Sequence, residues 1–350
     1  MALNKETVLE ALKKAVGDSG QDPVSRNLVH ALAVEAGVVR FVLEGAPAAE
    51  LQAMRPALEQ AVRALGAEQV TIVVPAASGS EPPKFGKHPT PQAGPTRVEG
   101  VRHVIAVGSG KGGVGKSTVS ANLAVALSRL GKKVGLLDAD IYGPSQPRMM
   151  GINRRPASPD GQTIIPLESH GVTLMSVGFM LREDEAVIWR GPMLMGAMQQ
   201  MLNQVDWDIH GPLDVLIIDL PPGTGDVQLS LCQKTELDGA IIVSTPQDVA
   251  LLDARKAIDM FRRLKTPVLG LIENMSTYIC PNCGHEAHLF GHGGVEAEAK
   301  ALDLPFLGAL PLDLDVRLAG DAGTPIAAGE GPAAGAYAKL AQDLIARGLV

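Results

Sequence analysis

The chain has 350 residues, 46% of them apolar, and a formal net charge of -7. That length accommodates one large α/β domain plus a small one, and the apolar share fills their cores. The acidic balance supplies no basic field for nucleic acid, and no apolar run reaches the roughly 18 residues of a membrane span, so neither partner is expected.

The opening residues MALNKETVLEALKKAVGDSG have amphipathic helical spacing without the apolar core of a secretory signal, which reads as a cytoplasmic protein. Residues 1–75 continue with two short strands (NLVHALAV, VVRFVLEG), a second helix from Ala48 to Leu65 and a strand QVTIVV, a small N-terminal α/β domain. Over 76–98, Pro, Gly and Ser replace the periodic apolar residues, and a flexible linker is expected. Residues 99–350 alternate short, fully apolar strands with helical stretches: HVIAVGSG, KKVGLLDAD, VTLMSVG, DVLIIDLPPG, GAIIVSTPQ, PVLGLIENM and PFLGALPL. Such runs, each followed by a helix, predict a doubly wound, mostly parallel sheet covered on both faces, with ligands at the carboxyl ends of its strands.

The stretch GSGKGGVGKST, Gly108 to Thr118, has the phosphate-loop spacing G-x-x-x-x-G-K-[ST] between a strand and a helix. Gly110, Gly112, Gly113, Val114 and Gly115 wrap the backbone round an anion, and the helix that starts near Lys116, Ser117 and Thr118 adds the positive end of its dipole. Lys116 is placed to reach the β- and γ-phosphates and the Ser117 hydroxyl to ligate Mg²⁺. Asp219, at the end of DVLIID, is the carboxylate for the magnesium shell, Gly223 marks the following turn, and Asp226 fits a helix cap. Asp138 and Asp140 in GLLDADIYGPS end another strand, where a water-ordering role and a turn role both fit. Lys111 is a second lysine in the loop beyond the one the phosphates need.

KGGVGKST with both lysines, DAD after the second strand and DLPPGTGD resemble the deviant phosphate-loop ATPases related to MinD and ParA. DADIYGPS, RGPM, IIDLPPGTGD, STPQ, ENMS and a following CPNC resemble, in family order over essentially all of residues 100–350, the ApbC/Mrp family of iron-sulfur cluster carrier ATPases. The resemblance implies a P-loop NTPase fold, ATP and Mg²⁺, and a homodimer in which Lys111 crosses to the partner's nucleotide. A lysine there lacks arginine's bidentate fork, so slow hydrolysis is expected. It also implies that Asp140 positions the attacking water, that Asn274 in IENMS reads adenine, and that the partners are iron-sulfur apoproteins and assembly scaffold proteins. The first 75 residues resemble the small domain found in iron-sulfur assembly factors, many of which carry a cysteine after their second strand; this domain contains none. Docking of a recipient, or spacing alone, is the expected use.

Cys280 and Cys283 follow the strand ending near Glu273, on the nucleotide-bearing edge of the sheet. Two soft thiolates fill half of a four-thiolate shell, and a twofold axis between two copies of the loop would complete Cys₄ ligation of a [4Fe-4S] cluster. With His288 and His292 the same pair has the spacing C-x2-C-x4-H-x3-H, which closes a zinc site within one chain. Local spacing leaves both metals open; the surrounding family motifs point to the cluster. The alternative reading is a MinD/ParA-like positioning or partitioning switch whose cysteine loop is stiffened by structural zinc. Cys232, in VQLSLCQK, reads as a small buried hydrophobe on a helix.

Overall fold

The computed structural model describes residues 4–15, 22–26, 28–35, 37–43, 45–67, 69–73, 94–180 and 191–350. The chain divides into two compact units, Met1–Pro82 and Pro83–Val350. Most of the expected linker lies outside the described residues, which resume at 94.

In the first unit, α1 (Lys5–Lys14) begins at a capping box in which Asn4 Oδ1 accepts from the Thr7 amide at 2.9 Å and Thr7 Oγ1 accepts from the Asn4 amide at 3.1 Å. β1 (Val29–Glu35) and β2 (Val38–Leu43) form an antiparallel pair. α2 (Ala48–Arg63) then carries the chain across to β3 (Gln69–Val73), parallel to β2, the crossover that a parallel pair requires. Val8 and Leu12 of α1, Leu51, Leu58 and Val62 of α2, and Val39 and Phe41 of β2 share its core.

The second unit starts with β4 (Val101–Gly108), α3 (Lys116–Arg129), β5 (Val134–Asp138) and the single turn α4 (Gln146–Met149). β6 (Leu167–Ser169), β7 (Val172–Ser176), α5 (Gly191–Asn203), β8 (Leu213–Asp219) and α6 (Asp226–Lys234) follow. Next come β9 (Gly239–Ser244), α7 (Asp248–Arg263), β10 (Val268–Glu273), β11 (Tyr278–Ile279), β12 (Glu286–Ala287) and α8 (Gly294–Ala301). β13 (Phe306–Ala309), α9 (Leu314–Asp321) and α10 (Pro332–Ala346) complete it. Eight strands form one sheet in the order β13-β10-β9-β4-β8-β5-β7-β6, parallel throughout except for β6, which pairs antiparallel with β7. A helix does not follow every strand: only the one-turn α4 follows β5, and the small antiparallel hairpin β11–β12 separates β10 from α8.

The central strands are apolar on both faces because helices cover both. Val215, Leu216, Ile217 and Ile218 of β8 are fully buried, each side chain contributing about 1.5–3 kcal/mol relative to exposure. α3 is buried nearly all round, since α10 packs over it with Tyr337, Leu340, Ala341 and Leu344 turned into the core. Among the described residues no helix is long and apolar enough to cross a membrane.

Register brings the strand ends into line. Asp219 lies opposite Val107 on one side and Asp138 on the other, and Glu273 lies opposite Ser244 and Ala309. The loops that carry the sequence motifs therefore leave the sheet along a single edge, where the strand order reverses about β4.

Candidate functional site

The loop between β4 and α3 delivers a helix start with no side-chain cap, so the first amides of α3 open toward the loop and are available to an anion. Two of its glycines are fixed by neighbours as well as by any ligand. A Cβ on Gly110 would stand 2.0 Å from the backbone carbonyl carbon of Asp253 in α7. Gly115 has φ +81°, and a Cβ there would stand 2.2 Å from Asn274 Nδ2. Gly112 and Gly113 are exposed at the crest, Val114 is buried, and Thr118 is half-buried with its carbonyl bonded to Asn122 Nδ2 at 2.9 Å.

Lys116 and Lys111 occupy different environments. The Lys116 side chain is 5% exposed and its Nζ lies 2.6 Å from Asp219 Oδ1 and 3.1 Å from Ser117 Oγ. Asp219 is fully buried: Oδ1 also accepts from Ser120 Oγ at 2.8 Å, and Oδ2 accepts from Gln146 Nε2 at 3.0 Å. The strand-end carboxylate thus pairs with the phosphate-loop cation. Lys111 is half-exposed; its carbonyl accepts from Ser109 Oγ at 2.9 Å, and among the described residues its ammonium has no ion-pair or hydrogen-bond partner. The Gly223 amide donates to the Ser109 carbonyl at 3.1 Å, tying the turn after Asp219 to the start of the phosphate loop. Asp226 is the first residue of α6.

Asp138 and Asp140 both accept hydrogen bonds from the loop that follows β5. Asp138, wholly buried, accepts from the amides of Asp140, Ser145 and Gln146 and from Ser176 Oγ at 3.0–3.2 Å, and so anchors the loop that follows β5. Asp140 is half-buried and accepts from the Gly143 amide at 3.3 Å; burial raises its pKa and the Lys116 charge opposes the rise. The Asp138 carboxyl is pushed up to about 7, first by burial and then by the Asp219 charge beside it, its hydrogen bonds opposing both. A carboxyl raised by folding gives stability that is complete below the ordinary carboxylate range and is lost as pH rises through about 7. Asp138→Asn, whose side chain is neutral at every pH, is expected to gain on the parent in melting temperature by on the order of 5 °C between about pH 5.5 and pH 8.5. An equal offset at both pH values rejects this, and calorimetry in two buffers decides.

Four consecutive residues leave β10 in three directions. Glu273, fully buried, accepts from Ser276 Oγ at 2.8 Å and from the amides of Gly293 and Val295 at 3.0 and 2.9 Å, holding the start of α8. Asn274, 6% exposed, donates from Nδ2 to the Val114 carbonyl at 2.8 Å and so supports the phosphate loop from beneath. A role at adenine is open to Oδ1, which can accept from the base while Nδ2 holds Val114. Met275 turns the chain with φ +58°, and the Ser276 amide donates to the Leu310 carbonyl at 3.0 Å.

The cysteines sit at the tip of the hairpin. Tyr278 pairs with Ala287 and Ile279 with Glu286; between them the Cys280 amide donates to the His285 carbonyl at 2.9 Å and the Gly284 amide to the Cys280 carbonyl at 2.8 Å. Gly284 has φ +70°. Hydrogen bonds from the backbone of Cys283 and Asn282 draw the Cys280 pKa down, favouring the thiolate that binds metal. Cys280 is half-exposed and Cys283 exposed, whereas Cys232 is buried on α6 and burial pushes its thiol up to about 12. His288 and His292 do not join the pair. Their rings stack at 4.5 Å, with His292 Nδ1 3.0 Å from Ser276 Oγ and His288 Nδ1 3.2 Å from the Ser276 carbonyl. Among the described residues no group of three or more His, Cys, Asp or Glu side chains converges to hold a metal ion.

Gln146, Ser120, Glu273 and Ser276 are site residues that the sequence reading missed. Gln146 had a local signal, since it directly follows DADIYGPS, and Glu273 and Ser276 had one as the ends of ENMS; Ser120, one turn into α3, meets Asp219 only in the fold.

Comparison with known proteins agrees with this architecture. Residues 100–345 match the family described as NUBPL iron-transfer P-loop NTPase, and residues 5–74 match the family described as iron-sulfur cluster assembly protein. An iron-sulfur cluster carrier protein of Haemophilus influenzae is 55% identical over 229 residues, 65% of this chain and 61% of the relative, so the chain matches about three-fifths of that protein's length. A nucleotide-binding protein from Archaeoglobus fulgidus, solved in complex with ADP, superposes with a TM-score of 0.57 at 42% identity, covering 65% of this chain and 88% of that one. The septum site-determining protein MinD of Pyrococcus horikoshii, solved with Mg-ADP, shares the fold at a TM-score of 0.53 and 24% identity, covering 69% of this chain and 95% of that one. With the loop, the strand-end carboxylate and the cysteine hairpin arranged on one sheet edge, the chain belongs to the NUBPL iron-transfer P-loop NTPase family.

Proposed function

We propose that this chain is an ATP-hydrolysing iron-sulfur cluster carrier of the cytoplasm. Two copies hold one [4Fe-4S] cluster between their Cys280 and Cys283 pairs and pass it to apoproteins. The observation that carries the reading is the hairpin: two thiols on one tight turn, one of them drawn toward the thiolate, with no third ligand beside them among the described residues. Two thiolates from each chain complete the four that such a cluster needs. The name borne by the Haemophilus relative supports the same cargo. Exposed apolar side chains on the same edge support the dimer: Val249 and Leu252 in the first turns of α7, and Ile279 and Leu289 in the cysteine segment.

At the phosphate loop, Lys116 leaves Asp219 for the β- and γ-phosphates of ATP while the amides at the start of α3 cradle them. Ser117 Oγ and Asp219 are hard oxygen donors that fit Mg²⁺, which when bound offsets negative charge on the β- and γ-phosphate oxygens. Asp140 orders the attacking water, Asn274 reaches the adenine, and Lys111 of one chain meets the γ-phosphate held by the other. The first unit serves to dock recipient or scaffold proteins.

Anaerobic reconstitution with iron and sulfide tests the proposal. One four-iron cluster per two chains, transferable to an apoprotein, is the expected result. One tightly held zinc per chain, with no iron retained, overturns it in favour of a switch with a stiffened loop.

A further inference from the structure

Gln146 is tied to the nucleotide site at three points. It is fully buried, and its backbone amide donates to Asp138 Oδ2 at 3.1 Å. Its Nε2 donates both to the Ser117 carbonyl and to Asp219 Oδ2, each at 3.0 Å. Both partners accept only, which settles the end of the amide that carries nitrogen. The atom left over is Oε1, buried and without a hydrogen-bond donor among the described residues. Native interiors rarely leave such an atom unserved.

The side chains near it are the ones that change partners when nucleotide and metal arrive. Lys116 must leave Asp219, and Ser117 must turn its hydroxyl from Lys116 toward the metal. Neither change involves the Ser117 carbonyl or Asp219 Oδ2, the two atoms that Gln146 holds. What the site then gains is water on a divalent cation, whose hydrogens face outward and seek acceptors. On the phosphate-loop reading above, we propose that Gln146 is a positioning residue of the magnesium site. Its Nε2 keeps the Asp219 carboxylate in place after Lys116 departs, and its Oε1 accepts a hydrogen bond from a metal-bound water.

The test is equilibrium binding of a fluorescent ATP analogue to the full chain, in excess Mg²⁺ and in EDTA, with magnesium titrated at fixed analogue. Gln146→Met, close in volume, is expected to bind within about twofold of the parent in EDTA, and to need about tenfold more Mg²⁺ for half-maximal enhancement. Gln146→Glu keeps the side-chain size but exchanges the Nε2 donor for an oxygen that faces Asp219 Oδ2 and the Ser117 carbonyl, and is expected not to recover that loss. Affinity falling equally in both buffers for both variants would reduce Gln146 to a packing residue and overturn the proposal. An unchanged magnesium requirement in Gln146→Met would overturn it too, since Oε1 would then be served by ordinary water. A parent chain that binds the analogue in neither buffer would strike the phosphate-loop reading itself.

Discussion

Lys111→Ala is expected to lower ATP turnover by about 10²–10³-fold while leaving ATP affinity within about threefold of the parent. On the proposed function Lys116 serves the phosphates of its own chain, from a buried position 2.6 Å from Asp219. Lys111 stands half-exposed five residues earlier, its carbonyl fixed by Ser109 and its ammonium unpaired among the described residues. A cation held that way adds little to ground-state binding. It adds much where charge develops on the γ-phosphoryl oxygens, provided a second chain brings it there. Mixing decides between chains. Lys111→Ala and Asp140→Ala are each expected to be inactive alone, but in a mixed dimer the Lys111→Ala chain retains Asp140 and receives Lys111 from its neighbour. About a quarter of the parental turnover should return in an equimolar mixture, because half the dimers are mixed and each has one complete site. A mixture as inactive as its components would place Lys111 on its own nucleotide or outside the chemistry.

Cys280→Ala, and separately Cys283→Ala, is expected to abolish cluster retention, from one four-iron cluster per two chains to none, with nucleotide binding unchanged. The hairpin is closed by backbone pairing at Tyr278–Ala287 and Ile279–Glu286, so removing a thiol takes away a ligand and leaves the turn. His288→Ala provides the contrast. Its Nδ1 faces the Ser276 carbonyl and its ring stacks on His292, so the cluster should survive its loss, whereas a one-chain zinc site would lose its metal. Iron and sulfide analysis, with the charge-transfer absorption of the cluster, separates the outcomes. Retention of four irons by either cysteine variant would remove the hairpin from the ligand set.

The parallel sheet was legible because its strands are buried on both faces, and runs such as VLIID and AIIVS leave no room for a solvated side. The phosphate loop was legible because glycine spacing, strand and helix coincide within eleven residues, Gly108 to Thr118. Short elements were not. β6 is three residues long and reverses direction, and β11 and β12 have two residues each, too few for any periodicity to register. Side chains whose roles depend on register were equally hidden. Gln146 and Asp219 are 73 positions apart and meet because β5 and β8 are neighbours; Asn274 and Val114 are 160 apart and meet because Asn274 leaves β10 beneath the phosphate loop. The resemblance assigned Asn274 to adenine, whereas the structure adds a bond to the loop that no local spacing encodes.

The segment from Glu273 to Ser276 bears on how the two ends of the molecule's chemistry keep time. The Asn274 side chain holds the phosphate loop at the Val114 carbonyl, the Glu273 carboxylate holds the start of α8 at Gly293 and Val295, and the Ser276 carbonyl faces His288 Nδ1 just past the hairpin, with a left-handed Met275 between them. On the proposed function, tightening of the loop round ATP and the attitude of the cysteine turn are linked through these contacts.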